Sequence, residues 1–308
     1  MKVHEDGAEA AEGHAPVMRV EVIELLNVKT DMNCIDMTVG AGGHAEALLE
    51  ATAPSGRLLG IDRDAAALEI ARRRLERFGS RAVLTHGTYA QARAHAREKG
   101  MDHVQAVLFD LGVSSMQLDE GERGFSFRTE APLDMRMDGL AGETAEDVVN
   151  AWPEENIAQV LQENSDEPLA RGIARAICRR RRQARISTTT QLAGIVAGVY
   201  CARGWRHSRV HPATRTFQAL RMVVNNEREE VKEGLAGGLS LLTAGGRMAV
   251  ISFHSGEDRV AKVFFKEHKA EGTPVTKKPL VPTPEECRAN PRARSAKLRV
   301  FEKTGEAA

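Results

Sequence analysis

Short apolar runs, each followed by a stretch of helical spacing, recur along the first third of the chain. Cys34-Ile35-Asp36-Met37-Thr38-Val39 leads into Gly40-Ala41-Gly42-Gly43 and then a helix-forming stretch from His44 to Ala51. Arg57 to Asp62 is followed by Arg63 to Phe78, which carries apolar residues at Ala67, Ile70, Ala71 and Leu75. Ala82 to His86 and Gln105 to Asp110 continue the series. Short, largely apolar runs alternating with helical periods mark buried parallel strands joined by helices. Right-handed crossovers then predict a doubly wound, Rossmann-like α/β sheet.

After Asp110 the alternation stops. Leu111 to Arg209 reads as loop and then helices, clearest at Asn156 to Leu161 and Leu169 to Ile177. Strand character returns at Arg247 to Phe253, behind the turn Ala244-Gly245-Gly246, and again at Leu298 to Glu302. The economical account is a mostly helical domain, residues 114–215, inserted into a discontinuous sheet domain of residues 14–113 and 216–308. Residues 1–13 are polar and acidic, without the apolar core of a signal peptide, and are expected to be a disordered tail.

The 308 residues are of ordinary globular composition, and no apolar run approaches a membrane span. The four cysteines lie far apart, which argues against structural zinc and for a reducing compartment; no metal is expected. Forty-three basic residues balance 43 acidic ones, yet the balance is not local. Between Glu167 and Glu227 there is no acid, while twelve arginines run from Arg171 to Arg221. Arg171, Arg175, Arg179 and Arg182 share one helix face, with Ile173 and Ile177 on another. Such a face can simply be solvated, but uncompensated guanidinium groups match phosphate oxygens and point to nucleic acid.

Gly40-Ala41-Gly42-Gly43-His44-Ala45 follows a strand and opens a helix, where backbone can approach an anionic ligand. Asp62 ends the next strand about twenty residues on, placed to accept ribose hydroxyls. This pattern fits a nicotinamide-dependent dehydrogenase as well as an S-adenosylmethionine enzyme. Asp110, ending the fourth strand, faces the crevice where open α/β sheets bind ligands. It would either cap a turn or accept a hydrogen bond from a substrate amine, as such carboxylates do in amino-group methyltransferases.

Longer strings decide between these. His14-Ala15-Pro16-Val17-Met18, Asp36 to His44, Phe109-Asp110-Leu111-Gly112-Val113-Ser114-Ser115, Arg123-Gly124-Phe125-Ser126-Phe127 and Pro132 to Asp138 occur in order. His211 to Arg221, Ile251-Ser252-Phe253-His254-Ser255 and Asn290 to Ser295 follow. From about His14 to Thr304 the chain closely resembles the MraW family, bacterial small-subunit ribosomal RNA cytosine N(4)-methyltransferases. The resemblance implies S-adenosylmethionine as cofactor, contacted by Gly42, Gly43, His44, Asp62, Tyr89, Asp110 and Gln117. It also implies one cytidine in the decoding region of small-subunit (16S) ribosomal RNA as substrate, Asp110 as the catalytic residue and a cytoplasmic location. The RNA would be met in an assembled or nearly assembled small subunit, with a homodimer left open. Tyr89 stands where the family commonly has Phe, Met116 replaces the usual proline before Gln117, and Gly256 replaces an aliphatic residue.

Arg179, Arg180, Arg181, Arg182, Arg215 and Arg221 are the expected RNA contacts. Thr214, Gln218, Arg221 and Asn225 share a helix face expected to line the crevice, with Phe217, Leu220 and Val224 in the core. Phe125 and Phe127 are candidates to stack on the base, at least one of them being core. Ser255 and Asp258 are read as a helix-start capping pair in preference to a catalytic base. Another RNA or DNA substrate, or a ribosome assembly factor with secondary catalysis, are the competing readings.

Overall fold

The computed structural model describes residues 16–112, 121–139, 142–204 and 211–305. In chain order, the first half of the sheet unit comprises α1 (Arg19–Leu25), β1 (Cys34–Asp36), α2 (Gly43–Ala51), β2 (Leu58–Asp62) and α3 (Ala65–Leu75). It continues with β3 (Ala82–His86), α4 (Ala92–Glu98) and β4 (Val104–Asp110). Among the described residues, helices α5 (Ala145–Ala151), α6 (Glu154–Ser165), α7 (Ala170–Arg181), α8 (Thr189–Ala202) and α9 (Ala213–Val224) follow. The chain closes with α10 (Glu227–Leu241), β5 (Leu242–Ser252), α11 (Ser255–Glu267), β6 (Gly272–Pro274), α12 (Pro284–Ala289) and β7 (Lys297–Lys303).

The seven strands form one sheet in the order β3-β2-β1-β4-β5-β7-β6. All neighbours from β3 to β5 are parallel, while β7 runs antiparallel to both β5 and β6. The central strands are buried on both faces because successive residues serve two different cores. Ile35, Val107, Phe109 and Val250 enter one, with Leu235 and Leu239 of α10. Cys34, Ala106, Leu108 and Ile251 enter the other, with Leu48 and Leu49 of α2. Strand order reverses between β1 and β4, and such a reversal opens a ligand crevice at the carboxyl ends of the strands. Asp36, Asp62 and Asp110 are the last residues of β1, β2 and β4.

Several elements differ from expectation. β1 stops at Asp36, short of Val39, because the Thr38 N–H turns back to the Asp36 carboxylate. β5 begins at Leu242, upstream of the glycine turn, with an irregular register against β4. The helix expected over Arg63 to Phe78 is α-helical only from Ala65 to Leu75 and then tightens to a 3-10 turn.

Two compact units emerge from the contacts: Met1–Gly112 with Glu229–Ala308, and Val113–Arg228. An end of the helical unit at residue 215 would divide α9. That helix instead gives Phe217, Ala219 and Leu220 to the helical core, beside Leu133, Val148, Ile157, Leu161, Ile173, Ile177 and Val196. Phe125 also lies in this core, and Phe127 stacks on His211 with ring centroids 4.6 Å apart. No described helix is long and apolar enough to cross a membrane.

Candidate active site

The loop after β1 brings the backbone back at the start of α2. Gly42 is the N-cap residue at φ 84°, a conformation that costs little only without a Cβ. Gly43 and His44 are the first two residues of α2, whose N-terminal N–H groups and dipole suit an anionic group. Asp62 braces the loop: its Oδ2 accepts from the Gly40 N–H at 2.8 Å and its Oδ1 from the Asp64 N–H at 2.8 Å. Desolvation nevertheless holds its carboxyl above the usual carboxylate range.

Tyr89 lies in the 3-10 turn after β3 and meets Phe109 edge-on, centroids 6.0 Å apart. The Arg63 guanidinium sits 6.0 Å from the Tyr89 ring centre and pairs with Glu230 at 3.3 Å. Gly234 of α10 makes room for the ring, since a Cβ there would lie 2.7 Å from Tyr89 Cδ2.

Asp110 is fixed by its own backbone, whose N–H donates to Thr38 Oγ1 at 2.6 Å. One carboxylate oxygen, Oδ2, lies 3.5 Å from His44 Nε2. The other, Oδ1, is buried without a hydrogen-bond partner among the described residues, as are His44 Nε2 and Asp36 Oδ2. Asp36 joins this site although it is not among the residues expected there from the sequence. It is fully buried, and burial pushes its carboxyl up to about 7; Asp110 and Asp62 add to the rise, while His44 and the Thr38 N–H oppose it. A carboxylate between Ile35 and Met37 in a strand buried on both faces was the available signal. Gln117 lies outside the described residues.

These groups fit an adenosyl sulfonium cofactor. Asp62 offers acceptors toward ribose hydroxyls, Tyr89 an aromatic ring, the start of α2 free N–H groups, and the orphaned carboxylate oxygens a place for positive charge. Among the described residues, no group of three or more His, Cys, Asp or Glu could hold a metal ion.

The expected RNA-facing arginines divide. Arg179 and Arg182 are exposed and make no side-chain hydrogen bond or ion pair among the described residues, and Arg180 is half-buried against the Ala184 carbonyl. Arg215 is exposed and donates to the Asp166 carbonyl. Arg181 donates to the carbonyls of Val149 and Trp152, which close the end of α5. Arg221 is largely buried and forks onto Glu227 at 2.7 and 2.8 Å. Asn225 leaves the expected crevice face as well: its side chain accepts from the Met137 N–H and donates to the carbonyls of Met135 and Arg221. The arginine-rich stretch is thus compensated from outside itself, Arg185 by Glu146 and Asp147, and Arg175 by Glu154.

At the start of α11 the cap is His254, one residue before Ser255. Its Nδ1 accepts from the N–H groups of Gly256 and Glu257, and the Glu257 carboxylate accepts from the N–H groups of Phe253 and His254. Asp258 is taken up by Arg299 and Lys297.

Residues 11–304 match the model of the MraW methylase family. A ribosomal RNA small subunit methyltransferase H from Syntrophotalea carbinolica is 48% identical over 305 residues, 94% of this chain and 97% of the relative. One from Trichlorobacter lovleyi is 44% identical over 309 residues, 95% and 98% of the two chains. Among solved structures, an rRNA methylase from Streptococcus thermophilus aligns with a TM-score of 0.45 at 12% identity, covering 93% of this chain and 95% of its own. On the family match and the identity to these relatives, the chain belongs to the MraW methylase family and is an S-adenosylmethionine-dependent methyltransferase.

Proposed function

We propose that this enzyme methylates the exocyclic N4 amine of one cytidine in the decoding region of small-subunit ribosomal RNA. The observation that carries the reading is Asp110, at the crevice end of β4, with one buried carboxylate oxygen that accepts nothing among the described residues. A cytosine amine has two N–H donors and a lone pair delocalised into the ring. A carboxylate accepting one N–H turns the nitrogen so that its lone pair leaves the ring plane, and positioning of this kind supplies most of the rate. S-adenosylmethionine supplies a methyl group already activated by its sulfonium. Asp62 would hold the ribose hydroxyls, Tyr89 the adenine, and Gly42, Gly43 and His44 the methionine end; Gln117 is carried over from the family alone.

The substrate class is supported by the two relatives, both named as small-subunit ribosomal RNA methyltransferases. The exposed arginines at the end of α7, Arg179 within it and Arg182 just past it, with Arg180 beside them, suit phosphate. A base must leave its stack to reach the cofactor, which is cheapest in single-stranded RNA, as in an assembled or nearly assembled subunit. Mass spectrometry of small-subunit RNA from cells lacking the protein tests the reading. N(4)-methylated cytidine should vanish at one position; an unchanged level overturns the substrate assignment.

A further inference from the structure

Three polar atoms around the ends of β1 and β4 are buried without a partner among the described residues: Asp36 Oδ2, His44 Nε2 and Asp110 Oδ1. Each such atom costs about 1–3 kcal/mol, so three in one neighbourhood ask for a chemical reason. The side chains are graded from solvent inward, Asp110 at 26% exposure, His44 at 5% and Asp36 at 1%. Asp110 Oδ2 is 3.5 Å from His44 Nε2, and the His44 ring, once it carries a proton, is the neighbour that most favours the ionised form of Asp36. Thr38 ties the Asp36 carboxylate to the Asp110 backbone, donating its N–H to Asp36 Oδ1 at 3.1 Å and accepting the Asp110 backbone N–H at its hydroxyl.

We propose that Asp110, His44 and Asp36 form a chain that receives the proton released by the substrate nitrogen, with Asp36 as its inner, positioning end. The proposal rests on the amine-methylation reading above. As the nitrogen bonds to the methyl carbon, the carbon–sulfur bond breaks with its electron pair on sulfur, and the nitrogen holds one proton too many. That proton passes to the Asp110 carboxylate and from there to His44 Nε2, where the Asp36 anion holds the imidazolium. It returns to water through Asp110, the member with solvent access. The 3.5 Å separation exceeds a hydrogen bond, and such gaps tighten in loaded sites. Asp36 touches no substrate and acts through His44.

The groups facing Asp36 are His44 from α2, Asp110 from β4, Asp62 from β2 and Cys34 on its own strand. Their balance leaves its carboxyl at about 7, so the chain is ready to accept a proton only above neutrality.

The test pairs two measurements. Carbon-13 carboxyl NMR of aspartate-labelled protein saturated with S-adenosylhomocysteine follows Asp36, and single-turnover methylation of small subunits is measured across neutral pH. Asp36 should titrate near 7; His44→Asn should move it up and Asp110→Asn should move it down. These opposite signs keep the test decisive if one variant fails to fold, which loss of a cooperative thermal unfolding transition would reveal. The wild-type rate should rise through the same pH, and Asp36→Asn should lose that rise together with roughly tenfold of the plateau. An Asp36 signal indifferent to both substitutions, in an enzyme that does methylate cytidine, overturns the chain alone. So does an Asp36→Asn rate lowered equally at every pH. A coupled titration in a protein that methylates no amine overturns the functional reading and this step with it.

Discussion

Of the three aspartates at the ends of β1, β2 and β4, Asp62 and Asp110 raise the proton affinity of Asp36, and Asp36 and Asp110 each keep an oxygen without a partner among the described residues. In the helical unit, arginines that stand alone along the sequence find acids or carbonyls in space: Arg221 on Glu227, Arg185 on Glu146, Arg181 on two helix-end carbonyls. The sheet unit therefore leaves buried charge unsatisfied where a ligand is to arrive, while the helical unit uses much of its charge to hold itself together. Charge counted along a chain does not distinguish these uses; burial and pairing do.

The contrast can be broken most severely on its paired side. Arg221→Met leaves Glu227 buried without a cation and should destabilise the protein by about 4 kcal/mol, read from chemical denaturation. Adding Glu227→Met should restore most of that loss; no recovery would show that the cost is packing. On the unsatisfied side, Asp110→Ala should slow single-turnover methylation about 100-fold. A fall of less than about tenfold would remove Asp110 from its orienting role.

Asp36 sharpens the contrast through pH. Its folded carboxyl is raised to about 7 from 3.8, so its contribution to stability is full below the lower value and is lost as pH rises through the upper. Asp36→Asn should consequently exceed the wild type in stability above neutrality by up to about 4 kcal/mol, with the gain disappearing in acid. Thermal melts on both sides of neutrality decide it, and a gain independent of pH would contradict the burial cost. The smallest effect belongs to the solvated arginines. Arg179→Gln with Arg182→Gln should weaken RNA binding about tenfold and flatten its log–log salt dependence by roughly 1.5. Stability should stay within about 0.5 kcal/mol. An unchanged salt slope would move the RNA contact elsewhere.

The sheet was legible because its strands are short, apolar and buried on both faces. β6 was not, since Gly272–Pro274 is three residues at an edge, defined by pairing with β7 and by no pattern of its own. Asp62 and Asp110 could be read from their places at strand ends. Asp36 was overlooked because the apolar run continues past it to Val39, hiding the strand end. The cap at His254 escaped because imidazole is an unusual acceptor there, and Ser255 with Asp258 offered the familiar spacing. The partners of Arg221 and Asn225 depend on which way α9 faces its neighbours, which helical periodicity leaves open.

The pairing of β4 with β5 carries a consequence for how the protein is made. Val107 pairs with Met248, so this central part of the sheet waits until the whole intervening segment has left the ribosome. At about 5–20 residues per second, that is a delay of several seconds during which the apolar edge of β4 has no neighbour on that side. The helical segment builds a core of its own and can fold within that interval. Its compaction shortens the loop that β4 and β5 must close, and the closure entropy falls with it. The unit proposed to carry RNA would then also serve the nascent chain, bringing the two halves of the sheet within reach.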